Sequence, residues 1–346
     1  MRSLISAIMN KFKLYFILFC SAILLFSCNK SDSVSAIPIR NFDTQYNDDI
    51  AIIEDYLNTH YLEVTTSTGT DDQDVEIKKI DAGQTKMMDL LFKADGDYPL
   101  LRKVPVVIKE VTYYMYYIKL RADNSDANSL APSKADEILT AYNGSYLAYV
   151  TTDEPLLDEN GNQVIIAGIP QTVTVTKLQA TQFQYVPFPS GYLRMDTAVR
   201  GWRETIPLFK SGTRVESTGP NPYANFGAGL LFIPSGLAYF NEARPGIPSY
   251  SPLVFSFKLF DVKFGDQDED GIISNDEDLD GNKDFSNDDT DGDGIPNLYD
   301  KDDDGDGFFT RSEITINGVL PASYTQILDC SGTTTGVKKH LDKTCH

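Results

Sequence analysis

Ala198-Val199-Arg200-Gly201-Trp202 and, downstream, Leu231-Phe232-Ile233-Pro234-Ser235-Gly236-Leu237-Ala238-Tyr239, Gly246-Ile247-Pro248 and Leu253-Val254-Phe255-Ser256-Phe257-Lys258-Leu259 are the segments that decide the fold. They hold the only tryptophan of the 346 residues and a dense set of apolar side chains punctuated by glycine and proline. Taken one at a time, a Trp, Phe or Ile is more often core than pocket. Their joint order and spacing carry the further information.

Read together, the segments resemble the FKBP-type peptidyl-prolyl isomerases, whose signature runs V-I-x-G-W, then I-P-x-x-L-A-Y-G, then I-P-P-x-x-x-L-V-F-x-V-x-L. The resemblance covers residues 131–264. It implies an α+β fold, an FKBP-like antiparallel sheet wrapped around a short helix, with Gly201-Trp202 at that helix's start. It also implies that Trp202 floors a proline pocket walled by Tyr142, Phe183, Phe188, Val199, Ile247 and Phe255. The backbone N–H of Val199 and the hydroxyl of Tyr239 would then hydrogen-bond substrate carbonyls. The family's first strand looks like residues 138–147 here, after which residues 148–180 are inserted. The family's D-G-x-x-F-D-S-S is matched nearest by Thr181-Gln182-Phe183-Gln184, which sets Gln184 in the place of an aspartate. Residues 215–229 are a second insertion, and Phe240 stands where the family has the glycine of A-Y-G.

The chemistry implied needs no nucleophile. Rotation about an X–Pro amide is opposed by C–N double-bond character, a barrier of about 18–20 kcal/mol. An apolar cradle that binds the twisted amide better than either planar form lowers that barrier by differential binding. Removing the amide from water helps further, because water favours the charge-separated planar form. The alternatives are poorly equipped: the chain has three histidines, none in a Ser/His/Asp or Cys/His arrangement, and no phosphate loop.

Upstream, residues 43–57 repeat apolar side chains at Ile50, Ile53, Tyr56 and Leu57, which predicts a helix with Asp43 as its N-cap. Residues 65–74 read as a polar loop. Residues 104–120 alternate Val111, Tyr113, Met115 and Tyr117 against Thr112, Tyr114 and Tyr116, a long strand or a hairpin arm. Residues 122–133 are linker-like. The segment 41–130 is therefore expected as a helix-and-strand unit before the isomerase-like domain.

The net charge of −20 is concentrated: nineteen of the fifty acidic residues lie between Asp266 and Glu313, against three basic ones. This acidity argues against a nucleic-acid partner. Within the run, Asp266-x-Asp268-x-Asp270-Gly271-Ile272-x-Ser274-x-x-Glu277 and Asp302-x-Asp304-x-Asp306-Gly307-Phe308-x-Thr310-x-x-Glu313 match EF-hand calcium loops at every ligand position. Asp276-x-Asp278-x-Asp280-Gly281 and Asp289-x-Asp291-x-Asp293-Gly294-Ile295-x-Asn297-x-x-Asp300 continue the pattern. Alternate carboxylates wrap one face of a calcium ion, the glycine permits the sharp turn, and a distal carboxylate closes the shell. The loops abut without long flanking helices and so resemble thrombospondin type 3 repeats, which implies a calcium-binding stalk over 265–313 with little regular secondary structure. The bland alternative is a solvated acidic linker.

The N-terminus reads as a targeting segment, 1–27: a basic flank at Arg2, Lys11 and Lys13, then an apolar run too short for a comfortable span. It ends in Leu25-Phe26-Ser27-Cys28, which resembles the lipobox of bacterial lipoproteins and implies lipid attachment at Cys28. A plain signal peptide or single anchor helix is the alternative. Residues 28–40 read as a tether. Cys330 and Cys345, in the tail 314–346, are then the one intramolecular disulfide available to an exported chain. Zinc is a poor alternative there, since His340 and His346 lack a second cysteine pair.

The sequence thus predicts a lipid-anchored protein of the cell envelope that isomerises proline bonds in polypeptide clients, with calcium as a structural ion and no cofactor for catalysis. A non-catalytic FKBP-like binding or chaperone module is the alternative from another class. A calcium-dependent adhesin rests on the acidic loops alone.

Overall fold

Asn41 starts the first helix: its side-chain oxygen accepts from the N–H groups of Asp43 and Thr44 at 2.9 and 3.1 Å. Helix α1 (Phe42–Thr59) therefore takes its cap from Asn41, and Asp43 instead sits in the first turn. Either residue type can fill the role, and only the backbone geometry separates them. The protein is described by a computed structural model over residues 38–216 and 222–345. Arg40–His346 fold as one unit. The targeting segment, its Cys28 and most of the tether lie outside the described residues.

After α1, β1 (His60–Val64) and β2 (Val75–Lys79) pair around the 65–74 loop. β3 (Leu100–Ile108) and β4 (Val111–Lys119) form a hairpin that turns at Lys109 and Glu110, both at positive φ. Two successive left-handed residues match the twist of the flanking strands. The alternation over 111–117 thus belongs to the return strand of a hairpin.

β5 (Glu137–Pro155), β6 (Thr172–Val186), β7 (Gly227–Ile233) and β8 (Leu253–Lys263) join that hairpin in one antiparallel sheet, ordered β3-β4-β7-β8-β5-β6. The insertion at 148–180 extends β5 and β6 into a long arm, paired from Tyr142 opposite Val186 to Pro155 opposite Thr172 with one register shift between Gly144 and Ser145. The Tyr149 hydroxyl ties the arm to α1 by donating to Asp55 at 2.6 Å.

Every residue of β7 is buried. Ala228, Leu230 and Phe232 pack with Ile53, Leu57 and Ile118 on the α1 side. Leu231 and Ile233 pack with Trp202, Phe209, Phe255 and Phe257 on the opposite side. Side chains alternate across a strand, so a strand covered on both faces reads as the continuous apolar run seen at 230–233. Helix α2 (Arg200–Thr205) lies on the second face. Its Gly201 is a close-approach position, since a Cβ there would fall 2.5 Å from the Ile233 side chain. The architecture is α+β and strand-rich: an antiparallel sheet curled over the short α2, with α1 covering its back.

The acidic run contains only short turns and helix α3 (Thr310–Ile314). It does not project as a stalk. Gln267 donates to the Ala135 carbonyl at 2.6 Å, Phe285 and Leu298 bury with Ala135, and Ile272 packs with Ile314 and Ile327. Apolar side chains dispersed through the acidic sequence gain from cover, and they fold the run back on itself and onto the sheet domain. Cys330 and Cys345 are paired, with Cα atoms 5.6 Å apart. Among the described residues no helix is long and apolar enough to cross a membrane.

Candidate functional site

Trp202, 3% exposed, is presented by α2 to the concave face of the sheet. The Tyr142 ring from β5 meets it at 5.3 Å and 82°, and the Phe255 ring from β8 at 5.2 Å and 85°. Phe183 from β6 meets Phe255 at 5.7 Å and 86°. Edge-to-face pairs at such separations are favourable. Gly144 makes the last pair possible, because a Cβ there would stand 2.7 Å from both rings. These four rings, with Val199 and Tyr239, line a cleft of about 450 Å³.

Two of the sequence-derived wall residues lie elsewhere. Ile247 is 5% exposed and packs in the core cluster behind Trp202 and Phe255. Phe188 is 55% exposed and lines a neighbouring depression with Tyr185 and Lys258. β6 makes its last pairing at Val186, so the chain has left the sheet before it reaches Phe188. The lining also includes residues outside the sequence-derived pocket: Leu193, Thr197, Ala198, Arg200, Arg203 and Ala238. Their short or ambiguous side chains gave no signal. Gln184 also lines the cleft. Burial first, then the neighbouring Tyr239, holds the Tyr142 phenol above its ordinary range.

Tyr239 is positioned from behind by α1. Asp49, fully buried, accepts from the Ser235 N–H at 2.7 Å and so fixes the turn that carries Ala238 and Tyr239. Burial pushes the Asp49 carboxyl up to about 6, with hydrogen bonds from Ser235 and Gln45 opposing the rise. Phe240 follows at φ 48°, and its ring stacks on Phe42 of α1 at 4.2 Å. A bulky residue at positive φ is strained. Here the chain takes the left-handed backbone that favours glycine, and the Phe240 ring packs on α1. The cleft lining contains no carboxylate, histidine or cysteine. It is built to bind an apolar group and hydrogen-bond around it.

The acidic module forms a second candidate site. Four groups each bring carboxylate oxygens within 4.8 Å of one another: Asp268, Asp270, Glu277 and Asp303; Asp278, Asp280 and Asp288; Asp289, Asp291 and Asp293; Asp302, Asp304 and Asp306. A common scaffold holds the first, third and fourth loops. Gly271, Gly294 and Gly307 take φ of 102°, 96° and 94°. The N–H groups of Ile272, Ile295 and Phe308 donate to Asp270, Asp293 and Asp306 at 2.7, 2.7 and 2.8 Å. Ser274, Asn297 and Thr310 accept from the N–H groups of Gln267, Thr290 and Asp303 at 3.1, 2.9 and 3.2 Å. These three side chains close their loops.

The second loop is shifted by two residues from the sequence reading. Asn282 N–H donates to Asp280, Lys283 N–H donates to Asp278, and Lys283 takes φ 65° in the glycine's place. The set is thus Asp278-x-Asp280-x-Asn282, and Asp276 lies outside it. Asp266 and Asp300 are not among the carboxylates that converge within 4.8 Å, although Asp266 neighbours Asp268 and Asp270, and Asp300 neighbours Asp291 and Asp293. Glu313 is 7% exposed, neither of its side-chain oxygens has a hydrogen-bond partner among the described residues, and burial, then Asp304 and Asp306, pushes it up to about 8. Asp288 and Asp303 were missed, each being an extra acid beside a patterned one.

The first group shows what these loops can hold. Glu277 and Asp303 are each 2% exposed, and no side-chain oxygen of either has a hydrogen-bond partner among the described residues. Burial chiefly, then repulsion from neighbouring acids, pushes Glu277 up to about 10, Asp303 to about 9, and Asp268 and Asp270 to about 7. Burying such carboxylates together is costly, and the nearby Arg311 and Lys301 offset the rise at Asp270 only in part. An all-oxygen donor set of this kind fits a hard divalent cation.

Residues 267–337 match a family described as BamM C-terminal. Two solved structures are similar over part of the chain. The crystal structure of FkpA from Escherichia coli is 24% identical with a TM-score of 0.25, covering 43% of this chain and 48% of that one. A peptidyl-prolyl cis-trans isomerase from Pseudomonas syringae pv. tomato str. DC3000 is 17% identical with a TM-score of 0.23, covering 43% and 75%. The chain thus spans about half the length of FkpA. No curated protein matches.

Proposed function

We propose that the chain is a prolyl isomerase of the cell envelope, with its cleft at Trp202 and with calcium held structurally by its acidic loops. The observation that supports it is the convergence of Tyr142, Phe183, Val199, Trp202, Tyr239 and Phe255 on one cleft whose lining has no carboxylate, histidine or cysteine. A proline ring would sit against Trp202 between the Tyr142 and Phe255 edges. The Val199 N–H, at the start of α2, and the Tyr239 hydroxyl would hold the flanking carbonyls. Such a cradle excludes water from the amide and favours its twisted form, and each 1.4 kcal/mol of that preference is worth about tenfold in rate. Proline-containing polypeptides are the clients. Attachment to the membrane through lipid on Cys28 rests on Leu25-Phe26-Ser27-Cys28 alone.

A second reading is favoured by Gln184, which stands where the family carries an aspartate: the cleft binds polypeptide without turning it over. A protease-coupled assay on the full-length chain with an apolar-X–Pro peptide separates the two. Acceleration over the uncatalysed rate is expected. Folded protein that quenches or shifts Trp202 fluorescence on adding peptide, yet leaves the rate unchanged, would move the protein to the binding class.

A further inference from the structure

We propose that Asp268, Asp270, Glu277 and Asp303 form one divalent-cation site that staples the first acidic loop to the last. This rests on the calcium reading above and adds to it a ligand from outside the loop and a mechanical consequence.

Asp303 is not one of the alternating acids of its own loop. Its N–H is held by Thr310 Oγ1 at 3.2 Å, and the carboxyl joins the first loop's group while Asp302, Asp304 and Asp306 form another. The acids of the first group are 2–5% exposed, and both oxygens of Glu277 and of Asp303, with one each of Asp268 and Asp270, have no hydrogen-bond partner among the described residues. Six buried oxygens without a hydrogen-bond partner among the described residues thus belong to four acids from two loops, and one oxygen of each acid lies within 4.8 Å of the others. The same two loops are drawn together by other contacts. Arg311 donates to the Glu269 carbonyl at 3.1 Å, and Ile272 packs against Ile314 and Ile327.

The donor chemistry selects the ion. Oxygen-only ligands exclude the nitrogen and sulfur preference of zinc. Four carboxylates with several oxygens available suit the six to eight ligands of calcium, whereas magnesium keeps several waters and is held by one or two carboxylates. An ion bound by both loops holds them in one geometry, so occupancy of this site closes the module from its first loop to its last. The remaining groups each draw on neighbouring residues only.

The test counts ions on the full-length protein with calcium alone as the probe, by equilibrium dialysis with elemental analysis. Asp303→Asn should bind one ion fewer per chain, or bind one ion at least tenfold more weakly. Asp284→Asn, an acid in none of the four groups, should keep the wild-type number. Amide hydrogen exchange gives the second readout. Calcium should slow exchange at least tenfold over residues 266–277 in the wild type and fail to do so in Asp303→Asn, while residues 289–300 stay protected in both. Wild-type protein that binds no calcium at millimolar concentration overturns the calcium reading itself. Wild-type protein that binds calcium while Asp303→Asn keeps both the number and the affinities overturns the staple alone.

Discussion

Tyr239 and Asp49 show how a single residue here can be read on both sides of the sheet. Tyr239 lies on the cleft, with Arg244 over its ring at 5.2 Å. If its hydroxyl holds a substrate carbonyl in the twisted state, Tyr239→Phe should lower kcat/KM about tenfold, the worth of one hydrogen bond of about 1.4 kcal/mol. The ring stays, so the unfolding midpoint should be nearly unchanged. A variant with the wild-type rate takes Tyr239 out of the mechanism. Asp49 acts through the turn it holds. Its folded-state pKa of about 6 stands above the ordinary 3.8, so the folded form binds a proton more tightly than the unfolded chain does. That contribution is fully present below about pH 4 and is lost as pH rises through 6, a change of up to about 3 kcal/mol. Asp49→Asn keeps an oxygen for the Ser235 N–H and removes the buried charge. Its stability should therefore be flat where the wild type declines between pH 4 and 7, with calcium saturating in both. Parallel denaturant curves for the two proteins across that range would show that the carboxyl is not strained by its burial.

At the scale of elements, α2 joins the two candidate sites. The Tyr299 hydroxyl, in the third acidic loop, donates to Asp196 at 2.8 Å, and Asp196 leads directly into the cleft residues Ala198 and Val199. Arg203 of α2 lines the cleft on one side and the contact with Leu298 and Tyr299 on the other. Calcium removal should therefore shift the emission of Trp202, the only tryptophan in the chain, and lower isomerase turnover severalfold. Tyr299→Phe should weaken the response, and a Trp202 spectrum indifferent to chelator means that the loops and the cleft are uncoupled. Elements with strong apolar periodicity were legible beforehand: α1 from Ile53, Tyr56 and Leu57, β4 from Tyr113 and Met115, β7 and β8 from their continuous runs. The aromatic cleft was legible where motif order fixed it, at Trp202, Phe255 and Tyr239. It was not legible at Phe188, which lies beyond an insertion and past the end of β6. The second acidic loop was misread because Asp276, Asp278 and Asp280 offer two equally good D-x-D registers. Only the hydrogen bonds of Asn282 and Lys283 choose between them.

The whole molecule is organised by one sheet that ignores the sequence boundary near residue 130. β4 pairs with β7 through Leu230 opposite Ile118, and α1 covers Ala228, Leu230, Phe232 and Val254. A chain beginning at residue 131 would keep every motif of the resemblance and lose α1, β3 and β4. β7 would then become a bare edge with an apolar face in water, the arrangement most prone to intermolecular pairing. Exposing a buried Leu, Phe or Val costs about 1.5–3 kcal/mol each. Three such losses at β7 and β8 rival the 5–15 kcal/mol that typically separates folded from unfolded protein. Such a chain should aggregate or lack a cooperative transition, while the full-length protein unfolds its sheet domain in a single step. Size-exclusion chromatography with thermal melts followed by circular dichroism decides it. A monomeric fragment 131–346 with a sharp melt would show that the resemblance marks an independent domain, and that residues 41–130 are an addition to it and not a part of its core.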